Sequence, residues 1–408
     1  MTETSLGELS MDGGRYGIAA SAVDYTPDLP AYLRITDIRD DGTLDLSSRK
    51  SVEDPNATDY MLEPNDIVFA RTGNSTGRNY FYDPRDGRFA YAGFLIKFSL
   101  NPAEVNPRYI KYYAQSKPYW DWVASFNTGS TRGNINAKTY ASMPITLPSR
   151  CTQDGIVRFC DAISDKIRVN GQINGYLEEL ARTLYHEIGN NHSHPAELAQ
   201  IAQVNPETYS PKEAWETISY IDTSSLTNNE CDSVQAIKPS EEKLPSRARR
   251  KVKRGDVLYS TVRPNQKHYG LLENVPHDAL ASTAFAVIRT ESKWSPLVYL
   301  ALTESSVTEA LQQLAETSTS TIPSIRPSDL GEIEVALPSD AEGEYLDSQI
   351  RLCYRLFAAN SLENNRLVEL RDALLPKLMS GEIDVSKVEV PTQPNSHLCA
   401  RRLKASRV

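Results

Sequence analysis

Residues 170–184 of this chain read NGQINGYLEELARTL, and residues 360–374 read NSLENNRLVELRDAL. The matching positions all lie 190 residues apart: Asn170, Asn174, Leu177, Glu179, Leu180 and Leu184 return as Asn360, Asn364, Leu367, Glu369, Leu370 and Leu374. One accidental match means little, but many matches in the same order at one offset indicate that a structural unit has been duplicated.

The same offset relates segments far from these two stretches. Asp66-Ile67-Val68-Phe69 returns as Asp256-Val257-Leu258-Tyr259, Tyr109 as Tyr299, Asn134-Ile135 as Ser324-Ile325, and Leu147-Pro148-Ser149 as Leu337-Pro338-Ser339. The repeated unit therefore contains a globular part followed by a helix. Two copies in one chain predict a pseudo-two-fold molecule, which suits a target with two halves, and DNA is the commonest such target.

Each copy predicts one long helix with a continuous apolar stripe. Steps of three and four residues place these positions on one face, as in a heptad seam that needs a partner helix. We therefore predict that the two helices pack on each other antiparallel, with the asparagines fixing the register. The alternative is that each helix packs only on its own globular part. The predicted seam comprises Ile163, Ile167, Asn170, Asn174, Leu177, Leu180 and Leu184 in the first helix, and Cys353, Phe357, Asn360, Asn364, Leu367, Leu370 and Leu374 in the second.

The predicted fold class is α+β: two similar globular domains, rich in short strands, that alternate along the chain with two long antiparallel coiled-coil helices. The boundaries we expect are 1–150 for the first globular domain, 151–190 for the first long helix, 191–340 for the second globular domain, 341–381 for the second long helix, and 382–408 for a polar tail expected to be disordered.

The composition is that of an ordinary globular protein, with 40% hydrophobic and 24% charged residues. We find no apolar run of the roughly 18 residues that a membrane span needs, and no signal-peptide pattern at the start. The five cysteines are scattered without a CxxC pair, which favours reduced thiols and no metal site. We therefore expect a cytoplasmic protein.

The net charge of −9 argues against a nucleic-acid partner, but the local distribution of charge matters more than its sum. A basic run occupies residues 247–254: Arg247, Arg249, Arg250, Lys251, Lys253 and Arg254. Most such runs are solvated loops. The other interpretation is a basic face, because the run leads into a strand that is followed by Arg263 and Lys267.

Motifs that would indicate catalysis are incomplete. Asn106-Pro107-Arg108-Tyr109 resembles the Asn-Pro-Pro-Tyr motif of adenine-N6 methyltransferases, which holds a flipped base. Arginine replaces the second proline, and no glycine-rich S-adenosylmethionine loop follows a strand, so the motif favours a helix N-terminus capped by Asn106. The glycine-spaced segment 73–78 lacks the lysine of a P-loop. No acid, base and nucleophile come together, so we expect no catalytic residues in this chain.

In order along the chain, several motifs resemble the specificity subunits of type I restriction-modification systems. Residues 64–73 are similar to the strand and turn of that family's first target-recognition domain, and residues 129–136 to a later loop of the same domain. Residues 252–264 are similar to the equivalent segment of the second domain, and residues 370–383 to the end of the last helix. The resemblance covers nearly the whole chain.

This resemblance implies two target-recognition domains, each recognising one half of a bipartite double-stranded DNA sequence. The long helices would set the spacing and dock two methyltransferase subunits, and a restriction and translocase subunit would join them. S-adenosylmethionine, ATP and Mg²⁺ are expected on those partner subunits and not on this chain, in the cytoplasm of a prokaryote. The alternatives are a non-catalytic coiled-coil scaffold and a self-contained DNA adenine methyltransferase whose motif has drifted.

DNA recognition needs cations for phosphates and side chains that can reach base edges. Arginine can hold guanine and asparagine can hold adenine. In the first domain the candidates are Arg71, Asn74, Ser75, Arg78, Ser130, Arg132 and Asn134; in the second they are Arg263, Asn265, Lys267, Thr319, Ser320 and Arg326. The alternative for Asn74 and Asn134 is that they only shape turns, and for Arg326 that it forms a surface ion pair.

Overall fold

The computed structural model describes residues 2–46, 48–126, 133–231, 234–291, 293–318 and 322–385. Their contacts form two compact units, one from the described parts of Met1–Asp165 and Leu367–Val408, the other from those of Lys166–Arg366. Each long helix contributes to both units. Among the described residues, no helix combines the length and the apolar character needed to cross a membrane.

The first unit is built mainly on two sheets. Its strands are β1 (Thr2–Ser5), β2 (Arg15–Tyr16), β3 (Ala22–Asp24), β4 (Ala31–Leu33), β5 (Lys50–Val52), β6 (Asp66–Ala70), β7 (Asn79–Phe81), β8 (Phe89–Tyr91), β9 (Leu95–Ser99) and β10 (Pro144–Leu147). Its helices are α1 (Pro107–Tyr113), α2 (Lys117–Ala124), α3 (Ala137–Ala141) and the beginning of α4 (Arg150–Asn191). The sheet orders are β2-β9-β6-β7 and β3-β5-β4-β8, and β1 pairs with β10.

The second unit has a similar plan. Its strands are β11 (Ser193–Glu197), β12 (Ala202–Val204), β13 (Ile218–Ile221), β14 (Leu226–Thr227), β15 (Glu230–Cys231), β16 (Gln235–Ile237), β17 (Ala248–Lys251), β18 (Val257–Ser260), β19 (Tyr269–Leu271), β20 (Ala279–Ser282), β21 (Phe285–Thr290) and β22 (Glu334–Pro338). Its helices are α5 (Leu198–Ile201), α6 (Ser295–Leu302), α7 (Ser305–Glu316) and most of α8 (Ala341–Ser380).

The sheets reproduce the internal repeat. The order β12-β21-β18-β19 matches β2-β9-β6-β7, and the parallel pair β13–β20 matches β4–β8. The sheets differ at their edges. In the second unit β17 extends the sheet beside β20, whereas the equivalent contact in the first unit is the isolated bridge between Met61 and Ala90. The duplicated α+β fold is confirmed.

Both globular cores are completed by parts of both long helices. The first core includes four buried helix residues: Ile156 and Cys160 from the start of α4, and Leu375 and Leu378 from the end of α8. The second core includes their equivalents at the offset of 190: Leu346 and Ile350 from the start of α8, and Tyr185 and Ile188 from the end of α4. Each globular part therefore packs on the helix that follows it and on the end of the other helix.

Within the second unit, paired asparagines join the two helices. The Asn170 Nδ2 atom donates a hydrogen bond to Asn364 Oδ1 at 2.8 Å, and Asn360 Nδ2 donates to Asn174 Oδ1 at 2.9 Å. Because residue numbers rise along α4 while those of the contacted residues fall along α8, the helices are antiparallel, as predicted. Exchanging the two repeats converts one of these contacts into the other.

Charged groups flank this asparagine layer. Asn170 also donates to Glu363 at 2.8 Å, and Lys166 lies 3.0 Å from the same carboxylate. The hydrogen bond from Asn170, followed by that from Lys166, lowers the pKa of Glu363. These contacts therefore form in the register in which Asn170 of α4 lies opposite Asn364 of α8.

Two residues of the predicted seam lie outside it. The Leu180 side chain is 48% exposed and that of Leu370 is 45% exposed, whereas Ala181 is fully buried. Leu180 follows Asn174 by two successive steps of three residues, which rotates it away from the heptad stripe. A step of seven residues from Asn174 leads to Ala181, which lies on the stripe. Assigning Leu180 and Leu370 to the seam was therefore wrong.

The paired asparagines support a stability prediction. Asn174→Leu should lower the free energy of unfolding by about 1–2 kcal/mol, because it leaves the half-buried amide of Asn360 without its partner. The double variant Asn174→Leu, Asn360→Leu should recover that loss, because both polar groups are removed together. Denaturant titration of the parent, the two single leucine variants and the double variant completes a double-mutant cycle. Additive losses would contradict the pairing.

A buried carboxylate lies near the start of α8. The Asp347 side chain is fully buried, neither of its oxygens accepts a hydrogen bond among the described residues, and Arg351 Nη1 lies 3.2 Å away. Burial raises its pKa to about 6, against the opposing effect of Arg351. The equivalent residue in the first repeat is the apolar Val157.

This carboxylate should make stability depend on pH. The folded chain holds the Asp347 proton more tightly than the unfolded chain, so the free energy of unfolding should fall as pH rises from 3.8 to about 6. Asp347→Asn should therefore be more stable than the parent at pH 8, by on the order of 2 kcal/mol, and should lose that advantage below pH 4. Denaturant titrations at both pH values check this; an advantage that does not change with pH would refute it.

Candidate nucleic-acid interface

In the first unit, the candidate residues surround a tight turn at the end of β6. The chain leaves the buried strand at Ala70, forms a 3-10 helix at Gly73–Ser75 and returns to β7. Gly73 and Gly77 have φ values of 76° and 92°, in the left-handed region that glycine tolerates best. Asn74 is exposed at the tip, and Ser75 is half-buried.

A second segment meets this turn from more than fifty residues further along the chain. Ile135 donates its backbone N–H to the Arg71 carbonyl at 2.9 Å, and Thr72 forms an antiparallel bridge with Asn134. The Thr76 hydroxyl donates a hydrogen bond to the Gly133 carbonyl at 2.9 Å. The exposed Asn134 therefore lies beside the turn, so two separately predicted segments form one surface.

The second unit builds the same junction at the offset of 190. Ile325 donates its N–H to the Thr261 carbonyl at 2.9 Å, Val262 bridges to Ser324, and Arg263 donates its N–H to Pro323 at 3.1 Å. The candidates around this junction are all exposed: Arg263, Asn265, Lys267 and Arg326. Both repeats thus present polar side chains from equivalent positions.

Two arginines of the first unit are already engaged within the protein. Arg78 Nε forms an ion pair with Asp40 at 2.7 Å, and its Nη1 donates to the Ile38 carbonyl at 3.1 Å. The Arg71 guanidinium lies over the ring of Tyr16, 5.1 Å from its centroid. Arg78 therefore has a structural role, whatever else it contacts.

Tyr16 was not among the predicted residues. It is 43% exposed, and its hydroxyl accepts the backbone N–H of Ala137 at 3.1 Å, which places it beside the second segment. An exposed aromatic ring under an arginine can stack on bases or hold the cation in place. Its two-residue strand has no periodicity from which the sequence could have indicated this position.

Four further candidates lie outside the described residues: Ser130, Arg132, Thr319 and Ser320. Each precedes the second segment of its own repeat, in the stretch that leads to Gly133 or Pro323.

The second half of the basic run 247–254 is neutralised within the second unit. It forms β17 and the turn after it. Lys251 pairs with Glu213, Lys253 with Glu207, and Arg254 with Glu273. These partners favour the first of the two interpretations, a solvated structural segment, for this half of the run.

The methyltransferase-like motif caps a helix. Asn106 accepts a hydrogen bond from the Arg108 N–H at 3.1 Å, and its Nδ2 donates to Asp154 at 2.7 Å. Pro107 begins α1, and Tyr109 is buried in the core. The helix N-terminus predicted from the sequence is confirmed.

The contrast between Arg78 and Asn74 is testable. Arg78→Ala should lower the free energy of unfolding by about 1 kcal/mol, because the Ile38 carbonyl loses a donor and Asp40 its partner. Asn74→Ala removes an exposed side chain and should change stability by less than about 0.5 kcal/mol. Denaturant titration compares the two. Equal losses would mean that Asn74 also supports the fold.

Comparisons with known proteins agree with this geometry. Residues 32–179 match the model of the type I restriction modification DNA specificity domain. The type I restriction enzyme HindI specificity subunit of Haemophilus influenzae is 21% identical over 414 aligned positions, which cover 81% of this chain and 89% of that protein.

A solved structure has the same fold. The S subunit of a type I restriction-modification system from M. genitalium aligns with a TM-score of 0.54 and 15% identity, covering 92% of this chain and 95% of that one. Over residues 32–179 this chain is therefore similar to the type I restriction modification DNA specificity domain, and over most of its length it has the fold of the M. genitalium S subunit.

Proposed function

We propose that this chain is the DNA-recognition subunit of a type I restriction-modification complex and that each repeat recognises one half of a bipartite target. The observation that carries the proposal is the junction built twice. In each repeat the segment after β6 or β18 is hydrogen-bonded to the segment before the final strand, and polar side chains project from both. A rigid surface assembled from two segments can present several side chains to one groove.

The proposed partners supply the chemistry. Two methyltransferase subunits would dock on the chain, bind S-adenosylmethionine and methylate adenine at N6. A restriction and translocase subunit would bring ATP and Mg²⁺. The chain itself would be non-catalytic and would act in the cytoplasm of a prokaryotic cell. Its net charge of −9 fits this arrangement, since partner subunits can share the neutralisation of DNA phosphates.

A methylation map tests the proposal. The chain and its candidate methyltransferase partner would be expressed in a host without N6-methyladenine, and the genome would be mapped for that base. We expect one bipartite motif to be methylated only when the chain is present. No methylation, with both proteins folded and bound to each other, would contradict the proposal and favour a scaffold.

The repeat predicts independent recognition by its two halves. Replacing residues 1–150 with the matching domain of a relative should change one half of the methylated motif and leave the other half unchanged, because each junction is built within its own repeat. The reciprocal exchange of residues 191–340 is the matched control and should change the opposite half. A change in both halves from either exchange would refute independent recognition.

A further inference from the structure

The turn after the central strand is held by two equivalent hydrogen bonds in the two repeats. Ala70 donates its N–H to the Arg78 carbonyl at 2.7 Å, and Ser260 donates to the His268 carbonyl at 2.8 Å. Within the turn itself, Thr76 donates to Gly73 at 3.1 Å, and the equivalent bond in the second repeat is 2.9 Å long. Between these bonds the turns differ: Gly77 donates its N–H to Ala70, whereas Lys267 donates its N–H to Pro264, and the 3-10 helix begins one residue later in the second repeat.

The side chains differ at the two positions with a left-handed backbone. The first repeat has Gly73 and Gly77 there, with φ values of 76° and 92°. The second repeat has Arg263 and Lys267, with φ values of 47° and 57°. A side chain disfavours this conformation, so glycine is the residue that stability alone would select at both positions. The second repeat instead holds a cation at each.

These two cations are unpaired. Among the described residues, neither Arg263 nor Lys267 forms an ion pair, and both are exposed. By contrast, Lys251, Lys253 and Arg254 of the same unit are each matched with a carboxylate. The strained turn therefore carries free positive charge, whereas the second half of the basic run is matched by carboxylates. Strained residues persist where a function requires them.

The first repeat lacks an equivalent charge at its turn. Its glycines leave the backbone bare, Arg78 is paired with Asp40, and the Arg71 guanidinium is stacked on Tyr16. Thr261 replaces Arg71 in the second repeat, and its hydroxyl donates to the Ala284 carbonyl. The two turns thus differ in electrostatics although φ is positive at both pairs of equivalent positions.

We propose that the two repeats hold their halves of the DNA target by different means, with Arg263 and Lys267 binding backbone phosphates in the second half while the first half relies on close approach of the glycine turn. The inference rests on the proposed function and deepens it. Lysine is a point charge suited to phosphate, and a cation at each end of one short turn suits an extended backbone better than a single base edge.

The test uses the assembled complex with its methyltransferase subunits. Its binding to a short duplex carrying the mapped motif, and to a scrambled duplex of equal composition, would be measured over a series of salt concentrations. Arg263→Gly with Lys267→Gly should lower the slope of log affinity against log salt by about 1.8, or about 0.9 for each lost phosphate contact. Between about 50 and 200 mM salt, the variant should therefore lose about tenfold less affinity than the parent.

The Arg263→Gly, Lys267→Gly double variant removes both cations without destabilising the fold, so it tests DNA binding alone. The double variant should unfold at the same temperature as the parent or a higher one, because the backbone strain is relieved. A control exists in the first repeat. A Cβ atom at Gly73 would meet no atom within 4 Å, so Gly73→Ala strains the backbone at φ 76° without a clash; it should weaken binding by obstructing the close approach and leave the salt slope unchanged. Gly77 is unsuitable for this control, because a Cβ atom added there would lie 2.7 Å from the Val123 side chain.

The possible outcomes discriminate between explanations. An unchanged salt slope in a double variant that still folds and assembles would overturn the inference. A changed base preference in the second half of the motif, with the slope retained, would also overturn it, because that result assigns base contacts to these residues. Methylation of a bipartite motif by the parent complex is scored first. A failure of the proposed function would therefore be seen there, separately from a failure of this inference.

Discussion

Neither long helix can bury its apolar stripe against one globular part alone, and the fold depends on how this constraint is met. Each core takes the beginning of one helix and the end of the other: Ile156 and Leu378 in the first unit, Leu346 and Ile188 in the second. Because both helices are needed by both cores, antiparallel pairing is a condition for either globular part to be complete. The duplication and the pairing are therefore parts of one solution.

The asparagine layer gives this pairing its register. Apolar stripes alone tolerate a shift of one heptad, since leucine packs on leucine in several alignments. Asn170 and Asn174 find hydrogen-bonding partners only opposite Asn364 and Asn360, so a shifted alignment would bury amides without partners. Each core is formed by residues of both helices, so a fixed register also fixes which parts of the helices meet in each globular part.

Much of the fold was predictable because it is periodic or repeated. The offset of 190 and the heptad spacing indicate the two helices, their pairing and the equivalence of the globular parts. The structure also brings the two candidate segments of each repeat together, and the sequence signals that flank these segments repeat. Leu180 is an exception: the spacing predicts a seam position there, but its side chain is exposed and the stripe continues through Ala181.

The rest of the site depends on contacts that leave no pattern in the sequence. Arg78 pairs with Asp40, 38 residues earlier, and Lys253 pairs with Glu207, 46 residues earlier. Neither separation matches a helical or strand period, so the sequence identifies the cation but not its partner. A run of positive charge is consequently a poor guide to a binding surface. A better guide in this chain is the free charge that remains once internal pairs are assigned.

The repeat itself contains information that separate motifs do not. Aligning the copies at 190 sets Gly73 against Arg263 and Gly77 against Lys267, and φ is positive at all four residues. At such a position one copy has the glycine that a positive φ favours, and the other copy has a cation. The cation is present although the backbone conformation disfavours any side chain there. Such a difference separates what the fold requires from what each copy requires for its own half of a target. The first repeat serves as an internal reference for the second, and the comparison needs no sequence other than this one.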